Sequence, residues 1–223
     1  MKVRYLILIF VFGAMGLSSC KNNDEVFAPV KSSFFNVVNA SGDTLNIYLN
    51  GTRQNNSSSL LPGGQSFYLT VPYGLQSFQF KKSGNVDILF STSLTLKDSV
   101  NYSIYLSGET ADKTFTTIDS LYSDTGANKA QVRFVNASQD AGNLDVFVGD
   151  TVNFKSRAFK SSSVFLHMNS GQKKVKISQT GSSVLKVDTL ITFRAGGIYT
   201  LVTRGSAAGT GNKAFKVGVV INH

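Results

Sequence analysis

The stretch FVNASQD, residues 134–140, is a near copy of VVNASGD, residues 37–43, and the two lie 97 positions apart. The similarity extends downstream, where LDVFVGDT, residues 144–151, matches LNIYLNGT, residues 45–52. Further along the chain, apolar positions and glycines recur at the same offset. Self-similarity at a fixed offset is the signature of one structural unit used more than once. The sequence therefore predicts two copies of about 90 residues each.

Both copies alternate in hydrophobicity with a period of two. In residues 45–50, Leu45, Ile47 and Leu49 alternate with Asn or Tyr, and residues 100–106 alternate in the same way. This pattern is typical of a strand with one face on a core and the other in water. Turn-forming sequences follow about every 8–12 residues, as in β-sandwiches. We expect an all-β fold of two tandem antiparallel β-sandwich domains, immunoglobulin-like, with seven or eight short strands per copy.

The N-terminus has a different pattern. Lys2 and Arg4 precede an uncharged apolar run at residues 5–16. As a helix this run would be about 18 Å long, too short for the roughly 30 Å hydrocarbon core of a bilayer. It predicts the core of a signal peptide. The next residues, LSSC at 17–20, resemble the lipobox of bacterial lipoproteins, which implies that Cys20 is lipidated and becomes the first residue of the mature protein.

Lipidation of Cys20 sets the expected location and segment order. Two or three acyl chains anchor a protein stably, so we expect a lipid-anchored protein of the cell envelope, at the outer membrane and facing the periplasm or the surface. Cys20 is the single cysteine of the chain, so no disulfide is expected. The polar linker, which contains a glycine, indicates modules that need not pack tightly. The expected segments are a signal peptide at 1–19, a tether at 20–32, a first module at 33–119, a linker at 120–129 and a second module at 130–223.

The second copy carries the fuller motif. Its stretch VRFVNASQDAGNLDVFVGD, residues 132–150, resembles the opening signature of the domain of unknown function 4397. The first copy, residues 35–51, is similar but has Asn46 where the second has Asp145. The resemblance implies extracytoplasmic β-sandwiches, often in tandem and often on lipoproteins. It implies no established activity and supplies no catalytic residue.

The repeated NAS.D motif has a structural interpretation and a functional alternative. Asn, Ser and Asp side chains hydrogen-bond to nearby backbone groups, so the motif predicts a turn that ends the first strand. The alternative is a calcium site at Asp140, Asp145 and Asp150, but this spacing does not match the dense oxygen ligands of a calcium loop. We expect no bound metal.

Enzymatic chemistry finds little support. The two histidines are His167, inside a predicted strand, and His223, the last residue, so neither is placed beside a nucleophile. No phosphate loop, zinc motif or dinucleotide fingerprint is present. We expect a protein that is not an enzyme and has no cofactor.

Charge is concentrated in the second copy. Residues 128–223 hold thirteen Lys and Arg against four Asp and Glu, whereas residues 21–127 hold seven against nine. Such a basic module would attract acidic polysaccharide or another anionic envelope component without sequence-specific recognition of nucleic acid. The alternative is a solvated surface that aids solubility. The candidate binding residues are Lys155, Arg157, Lys160, Lys174 and Lys176.

Two further patterns bear on glycans. The chain has no tryptophan, so a sugar platform would need tyrosines such as Tyr48, Tyr68, Tyr73 and Tyr105, although tyrosines on strands more often pack across strands. Five Asp-Ser or Asp-Thr pairs precede an apolar residue and resemble Bacteroidota O-glycosylation sites, although such pairs also make good turns. The candidate acceptors are Thr44, Ser99, Ser120, Thr151 and Thr189.

These observations together predict a non-enzymatic cell-envelope lipoprotein, a β-sandwich scaffold or adhesion module. The alternatives are a glycan-binding accessory lipoprotein of a polysaccharide-uptake system and a pilus-type subunit assembled by strand exchange.

Overall fold

The computed structural model describes residues 30–121, 128–149 and 151–223. Cys20, the predicted signal peptide and Asp150 lie outside these ranges. Residues Lys31–His223 form one compact unit. Within the described ranges, no helix has the length and hydropathy needed to cross a membrane.

Eight strands form in each copy, which confirms the predicted all-β class. The first module contains β1 (Ser32–Asn39), β2 (Leu45–Leu49), β3 (Thr52–Arg53), β4 (Leu69–Pro72), β5 (Gly74–Lys82), β6 (Phe90–Leu96), β7 (Asn101–Leu106) and β8 (Thr114–Ile118). The second contains β9 (Lys129–Asn136), β10 (Leu144–Val148), β11 (Thr151–Arg157), β12 (Leu166–Asn169), β13 (Gly171–Gln179), β14 (Leu185–Phe193), β15 (Ile198–Arg204) and β16 (Lys216–Ile221). Two short 3-10 helices, Ala111–Lys113 and Gly211–Lys213, precede β8 and β16.

Each module is a sandwich of two four-stranded sheets, and the topology repeats. The orders are β4-β1-β7-β8 and β3-β2-β5-β6 in the first module, and β12-β9-β15-β16 and β11-β10-β13-β14 in the second. We call β4-β1-β7-β8 and β12-β9-β15-β16 the inner sheets and the other two the outer sheets. In each inner sheet the central pair, β1 with β7 or β9 with β15, is parallel. The other strand pairs are antiparallel.

Each module has its own apolar core between its inner and outer sheet. In the first, Phe35 packs edge-on against Phe78 with ring centroids 4.9 Å apart, and both side chains are fully buried. In the second, Phe134 and Phe193 are fully buried among residues of β9, β10, β13 and β15. The alternating apolar positions of the sequence therefore face the cores as predicted.

A third apolar layer lies between the two inner sheets and was not expected. It joins Val38 and Tyr105 of the first module to Val135 and Val202 of the second, all of them at most 1% exposed. The central inner strands are thus buried on both faces, whereas the alternating pattern predicted one face in water; these strands are β1, β7, β9 and β15. The expectation that the modules need not pack tightly is wrong, because the supposed water face carries apolar side chains at these positions.

The two modules contribute equivalent positions to this layer. Val38 and Val135 are related by the offset of 97, and so are Ala40 with Ala137. The module contact is therefore close to self-complementary, like the contact in a two-fold dimer.

Candidate functional site

The carboxyl ends of four inner strands meet at one end of the molecule. Parallel pairing places the ends of β1 and β7 together, and likewise the ends of β9 and β15. The loops that follow surround a groove of about 310 Å³ at the boundary between the modules, which we call the junction groove. Its lining residues are Ala40, Ser41, Gly42, Asp43, Ser107, Gly108, Glu109, Gln139, Asp140, Gly205, Ser206 and Lys213. Both copies of the NAS.D motif thus contribute to a single groove.

The asparagine of each motif organises its turn, as the sequence predicted. Asn39 Nδ2 donates to the carbonyl oxygens of Asp43 and Leu60 at 2.7 and 2.9 Å, while its Oδ1 accepts from Ser41. Asn136 Nδ2 donates in the same way to the carbonyl oxygens of Gly142 and Arg157. Because these bonds satisfy buried backbone groups, the motif stabilises the loops that line the junction groove.

Charged side chains alternate across the groove. Lys82 Nζ lies 3.3 Å from Asp43 Oδ2 and 3.1 Å from Glu109 Oε2, and Lys213 Nζ lies 3.4 Å from Glu109 Oε1. The hydrogen bond from Lys82 lowers the pKa of the Glu109 carboxyl, and the same bond raises the pKa of Lys82. Both groups therefore stay charged at neutral pH.

Asp140 is held on the opposite side of the groove. Its carboxylate accepts hydrogen bonds from Ser206 Oγ at 2.5 Å and from the backbone N–H of Ala207 at 2.8 Å. Burial alone would raise the pKa of Asp140, but these hydrogen bonds lower it below its ordinary value. Asp140 is therefore an oriented acceptor at the rim of the groove.

Two glycines of the groove, Gly42 and Gly205, lie so close to neighbouring protein atoms that a side chain would not fit. A Cβ on Gly42 would lie 2.4 Å from Cγ of Lys213. A Cβ on Gly205, which has φ of +76°, would lie 2.2 Å from the carbonyl oxygen of Ala214. Side chains at these positions would displace the groups that form the groove.

A buried ion pair crosses the module boundary below the groove. Arg133 Nη2 in β9 lies 2.6 Å from Oδ1 of Asp119, just after β8, and the two side chains are 2% and 0% exposed. The other carboxylate oxygen of Asp119 accepts hydrogen bonds from the hydroxyls of Tyr68 and Ser103, each at 2.5 Å. The carboxylate is therefore fully compensated inside the protein.

The guanidinium of Arg133 is surrounded equally well. Its Nε donates to Thr200 Oγ1 at 2.8 Å and its Nη2 to the hydroxyl of Tyr105 at 3.1 Å, while the ring of Phe165 lies 4.6 Å away. Burial lowers the pKa of Arg133, but Tyr105 and Asp119 raise it by more. The guanidinium therefore stays charged.

Two tyrosine hydroxyls of this network stay protonated. Burial raises the pKa of Tyr68, and the Asp119 carboxylate raises it further. Burial likewise raises the pKa of Tyr105. Sequence reasoning missed this network, although an arginine between Val132 and Phe134 in an apolar strand was a usable signal, because a charge buried there needs a partner.

The two NAS.D motifs lie within segments that match a known protein family. The family model described as domain of unknown function (DUF4397) matches residues 33–147 and 130–220. The chain belongs to this family. Its two DUF4397 modules are arranged in tandem, as the repeated motif predicted. Among curated proteins, none matches the chain significantly.

Solved structures that resemble the DUF4397 chain do so weakly. A family 26 carbohydrate-binding module of Eubacterium rectale Amy13K, in complex with maltoheptaose, is 9% identical over 85% of this chain and 96% of its own, with a TM-score of 0.28. Family 41 carbohydrate-binding modules from streptococcal virulence factors are 12% identical over 83% and 96%, with a TM-score of 0.27. A putative cell adhesion protein of Bacteroides eggerthii is 8% identical over 87% and 96%, with a TM-score of 0.19. TM-scores this low carry no argument about ligand or activity.

The five predicted basic residues of the second DUF4397 module do not share one surface. Lys174 and Lys176 alternate with buried Val175 and Ile177, so they lie on the outer face of the outer sheet. Lys155 is exposed on the edge strand β11 of the same sheet. With Arg157, the last residue of β11, four of the five candidates therefore belong to one sheet.

Three of the five basic side chains are engaged in contacts within the protein. Arg157 is half-buried and donates to the carbonyl oxygen of Ser162. Lys160 Nζ donates to the carbonyl oxygen of Asp112 in the first module at 2.6 Å. Lys174 Nζ lies 3.2 Å from Asp188 Oδ2, so its charge is partly offset. Arg157 and Lys160 thus make contacts away from the face that carries Lys174 and Lys176, and the binding role of the five residues stays a prediction.

The candidate O-glycosylation acceptors differ in accessibility. Ser99, Ser120 and Thr151 are exposed and Thr44 is half-buried. Thr189 is also half-buried, because it lies opposite Val175 on the core-facing side of β14. Ser99, Ser120 and Thr151 are thus the sites that an enzyme could reach in the folded protein, and O-glycosylation stays a prediction. At Ser120 the preceding Asp119 carboxylate is buried in the ion pair.

The remaining candidates have local structural roles. Asp140 accepts from Ser206, whereas Asp145 accepts from the backbone N–H of Ser156 and from Thr180, so the two belong to separate hydrogen-bond groups. Over residues 30–121, 128–149 and 151–223, no three His, Cys, Asp or Glu side chains gather to hold a metal ion.

Two of the four tyrosines proposed as sugar platforms are structural. Tyr105 is fully buried between the modules, and Tyr68 donates its hydrogen bond to Asp119. The ammonium groups of Lys81 and Lys31 lie 4.9 and 5.7 Å from the ring centroids of Tyr48 and Tyr73. His167 is exposed on β12.

Proposed function

We propose that the protein is a non-enzymatic binding and adhesion module of the cell envelope, anchored by lipid at Cys20. The observation that carries this proposal is the position of the junction groove relative to Lys31. The groove follows the carboxyl end of β1, whereas the chain enters the folded body at the amino end of the same strand. Eight residues of strand separate these ends by about 26 Å. The groove therefore lies at the end of β1 opposite the end at which the chain enters the folded body.

The coupling of the modules suits this role. The central strands of each inner sheet are buried on both faces, and the Asp119–Arg133 pair is fully desolvated at the boundary. Breaking such a contact would expose apolar surface and two buried charges, so the modules behave as one body. The loops from both modules are then held in a constant arrangement around the groove.

The anchor is tested by fractionating cells that make the full chain. We expect the wild type to sediment with the outer membrane and Cys20→Ser to appear in the soluble fraction with an unchanged melting temperature. Cys20→Ser that still sediments with membranes would contradict the lipid anchor.

Adhesion is tested with the same two strains on surfaces coated with envelope polysaccharide and extracellular matrix proteins. We expect cells with the wild type to be retained on at least one coating, and cells with Cys20→Ser to match cells without the gene. Equal retention of all three strains on every coating would contradict the proposed function. The pilus-type alternative stays a prediction that polymer ladders on denaturing gels would support.

A further inference from the structure

We propose that the junction groove binds a neutral sugar unit of a glycan through hydrogen bonds supplied by both modules. This inference rests on the proposed binding function and specifies its site and ligand class. It depends on unused hydrogen-bonding groups, on the balance of charge and on the shape of the groove.

Two polar atoms of the groove have unused hydrogen-bonding capacity. Ser107 is 6% exposed, and its Oγ has no hydrogen-bond partner among the described residues. Asp43 Oδ2 is also buried and is ion-paired with the Lys82 ammonium at 3.3 Å, which uses only part of its capacity to accept hydrogen bonds. Buried polar atoms without partners are rare in folded proteins and cost free energy. Ser107 Oγ is such an atom among the residues that line the groove, and a ligand hydroxyl is a partner of the chemistry it lacks.

The charges of the groove favour a neutral ligand. Asp43 and Glu109 share Lys82, and Glu109 also lies beside Lys213, so the opposite charges largely offset one another. An acidic polymer would meet the carboxylates of Asp43, Glu109 and Asp140 at close range, which is unfavourable. The groove instead presents fixed acceptors next to fixed donors. A hydroxyl both donates and accepts, so adjacent hydroxyls on one ring match this alternation.

The shape of the groove fits a small polar ring or a chain end. Its volume of about 310 Å³ is at the lower end of the range for small-molecule sites. Gly42, Gly108 and Gly205 line it, and protein atoms already fill the space that a Cβ would take at each of them. The lining residues include no aromatic side chain. Recognition would thus depend on hydrogen bonds, and we expect an affinity on the order of millimolar for a single sugar.

The first experiment is titration of the full chain, in detergent micelles, with neutral oligosaccharides of glucose, galactose, mannose and N-acetylglucosamine, and with heparin. We expect at least one neutral oligosaccharide to bind equally well at low and high salt, because exposed charges are screened by salt and neutral hydrogen-bonding partners are not. The inference is overturned if none of the neutral oligosaccharides binds, or if only heparin binds and salt abolishes its binding. The latter result would locate recognition on the basic outer sheet.

The second experiment compares Ser107→Ala with Ser99→Ala. Because Ser107 Oγ has no protein partner, its removal should leave the melting temperature unchanged or raise it. We expect about tenfold weaker sugar binding for Ser107→Ala, corresponding to loss of one hydrogen bond in a desolvated site. Ser99 is exposed in a turn away from the groove, and Ser99→Ala should bind like the wild type.

Unchanged sugar affinity in Ser107→Ala would overturn the assignment of the groove. If Ser107→Ala cells still adhere as the wild type does while the groove binds no sugar, the proposed adhesion function stands without this inference. If cells with Cys20→Ser and cells with Ser107→Ala both adhere as well as the wild type, the proposed adhesion function and this inference are both contradicted.

Discussion

Asp119 and Arg133 form a buried ion pair that specifies the contact between the two modules. Both side chains are buried, and the carboxylate and the guanidinium each have further hydrogen-bond partners. A buried pair of this kind gains little over an apolar pair of the same shape, but either charge alone is costly. The pair therefore specifies how the modules meet more than it adds to stability.

Replacement of Arg133 by Met should destabilise the protein by about 3–5 kcal/mol, because Asp119 is left buried without its partner. Arg194→Met is the matched control, since Arg194 is exposed, and it should change the free energy of unfolding by less than about 0.5 kcal/mol. Urea titration of both variants measures the difference. The double variant Asp119→Asn/Arg133→Met should lose less than the two single changes added together. Equal stability of Arg133→Met and Arg194→Met would contradict the role of the pair.

At the scale of the strand, β1 contributes to two apolar layers at once. Its Val37 belongs to the first core, whereas neighbouring Val38 belongs to the layer between modules, and both are fully buried. The strand therefore resembles a central strand of a parallel sheet that has helices packed on both faces, except that here a sheet packs on each face.

Val38→Ala should consequently cost as much as Val37→Ala, about 1.5–2.5 kcal/mol for the lost burial and the cavity that is left. Thr95→Ala on the edge strand β6 is the control, because Thr95 is exposed, and its cost should stay below about 1 kcal/mol. Chemical denaturation of the three variants tests the expectation. A cost for Val38→Ala as small as that of Thr95→Ala would show that the modules separate in solution.

The strands and turns were largely predictable from the sequence, whereas the packing of the second face of each inner strand was not. The period of two identified the strands, the offset of 97 identified the repeat, and NAS.D identified the turns at Asn39 and Asn136. Period alone does not show what covers the second face of a strand. Ser103 alternates with apolar residues and was expected in water, but it is fully buried. The junction groove was missed for the same reason, since it exists only once two modules are packed together.

On the scale of the whole molecule, the network between the modules links stability to alkaline pH. The pKa values of Tyr68 and Tyr105 are raised in the folded protein by burial. As pH rises through about 10, the unfolded chain releases protons that the folded chain retains. Stability contributed by these hydroxyls is complete below pH 10 and is lost as pH rises through the folded values.

We therefore expect the melting temperature to fall steeply above about pH 10 and the fall to be shallower in Tyr68→Phe. Tyr73→Phe removes a hydroxyl from a side chain that is 52% exposed and should follow the wild-type curve. Thermal melts across the alkaline range, together with absorbance of ionised tyrosine, measure both quantities. A curve for Tyr68→Phe that is parallel to the wild type would contradict the linkage.

The near-symmetric contact between the modules has one asymmetric feature. Asn36 corresponds to Arg133 through the offset of 97, and Asn222 follows Ile221 of β16 as Asp119 follows Ile118 of β8. The charge pair therefore forms once. If two first modules met through the same face, Asp119 would meet Asn36, and if two second modules met, Arg133 would meet Asn222. Each of those homotypic assemblies would bury a charge without its counter-ion. The halves of this chain are thus complementary and not interchangeable, which disfavours pairing between like modules of neighbouring molecules.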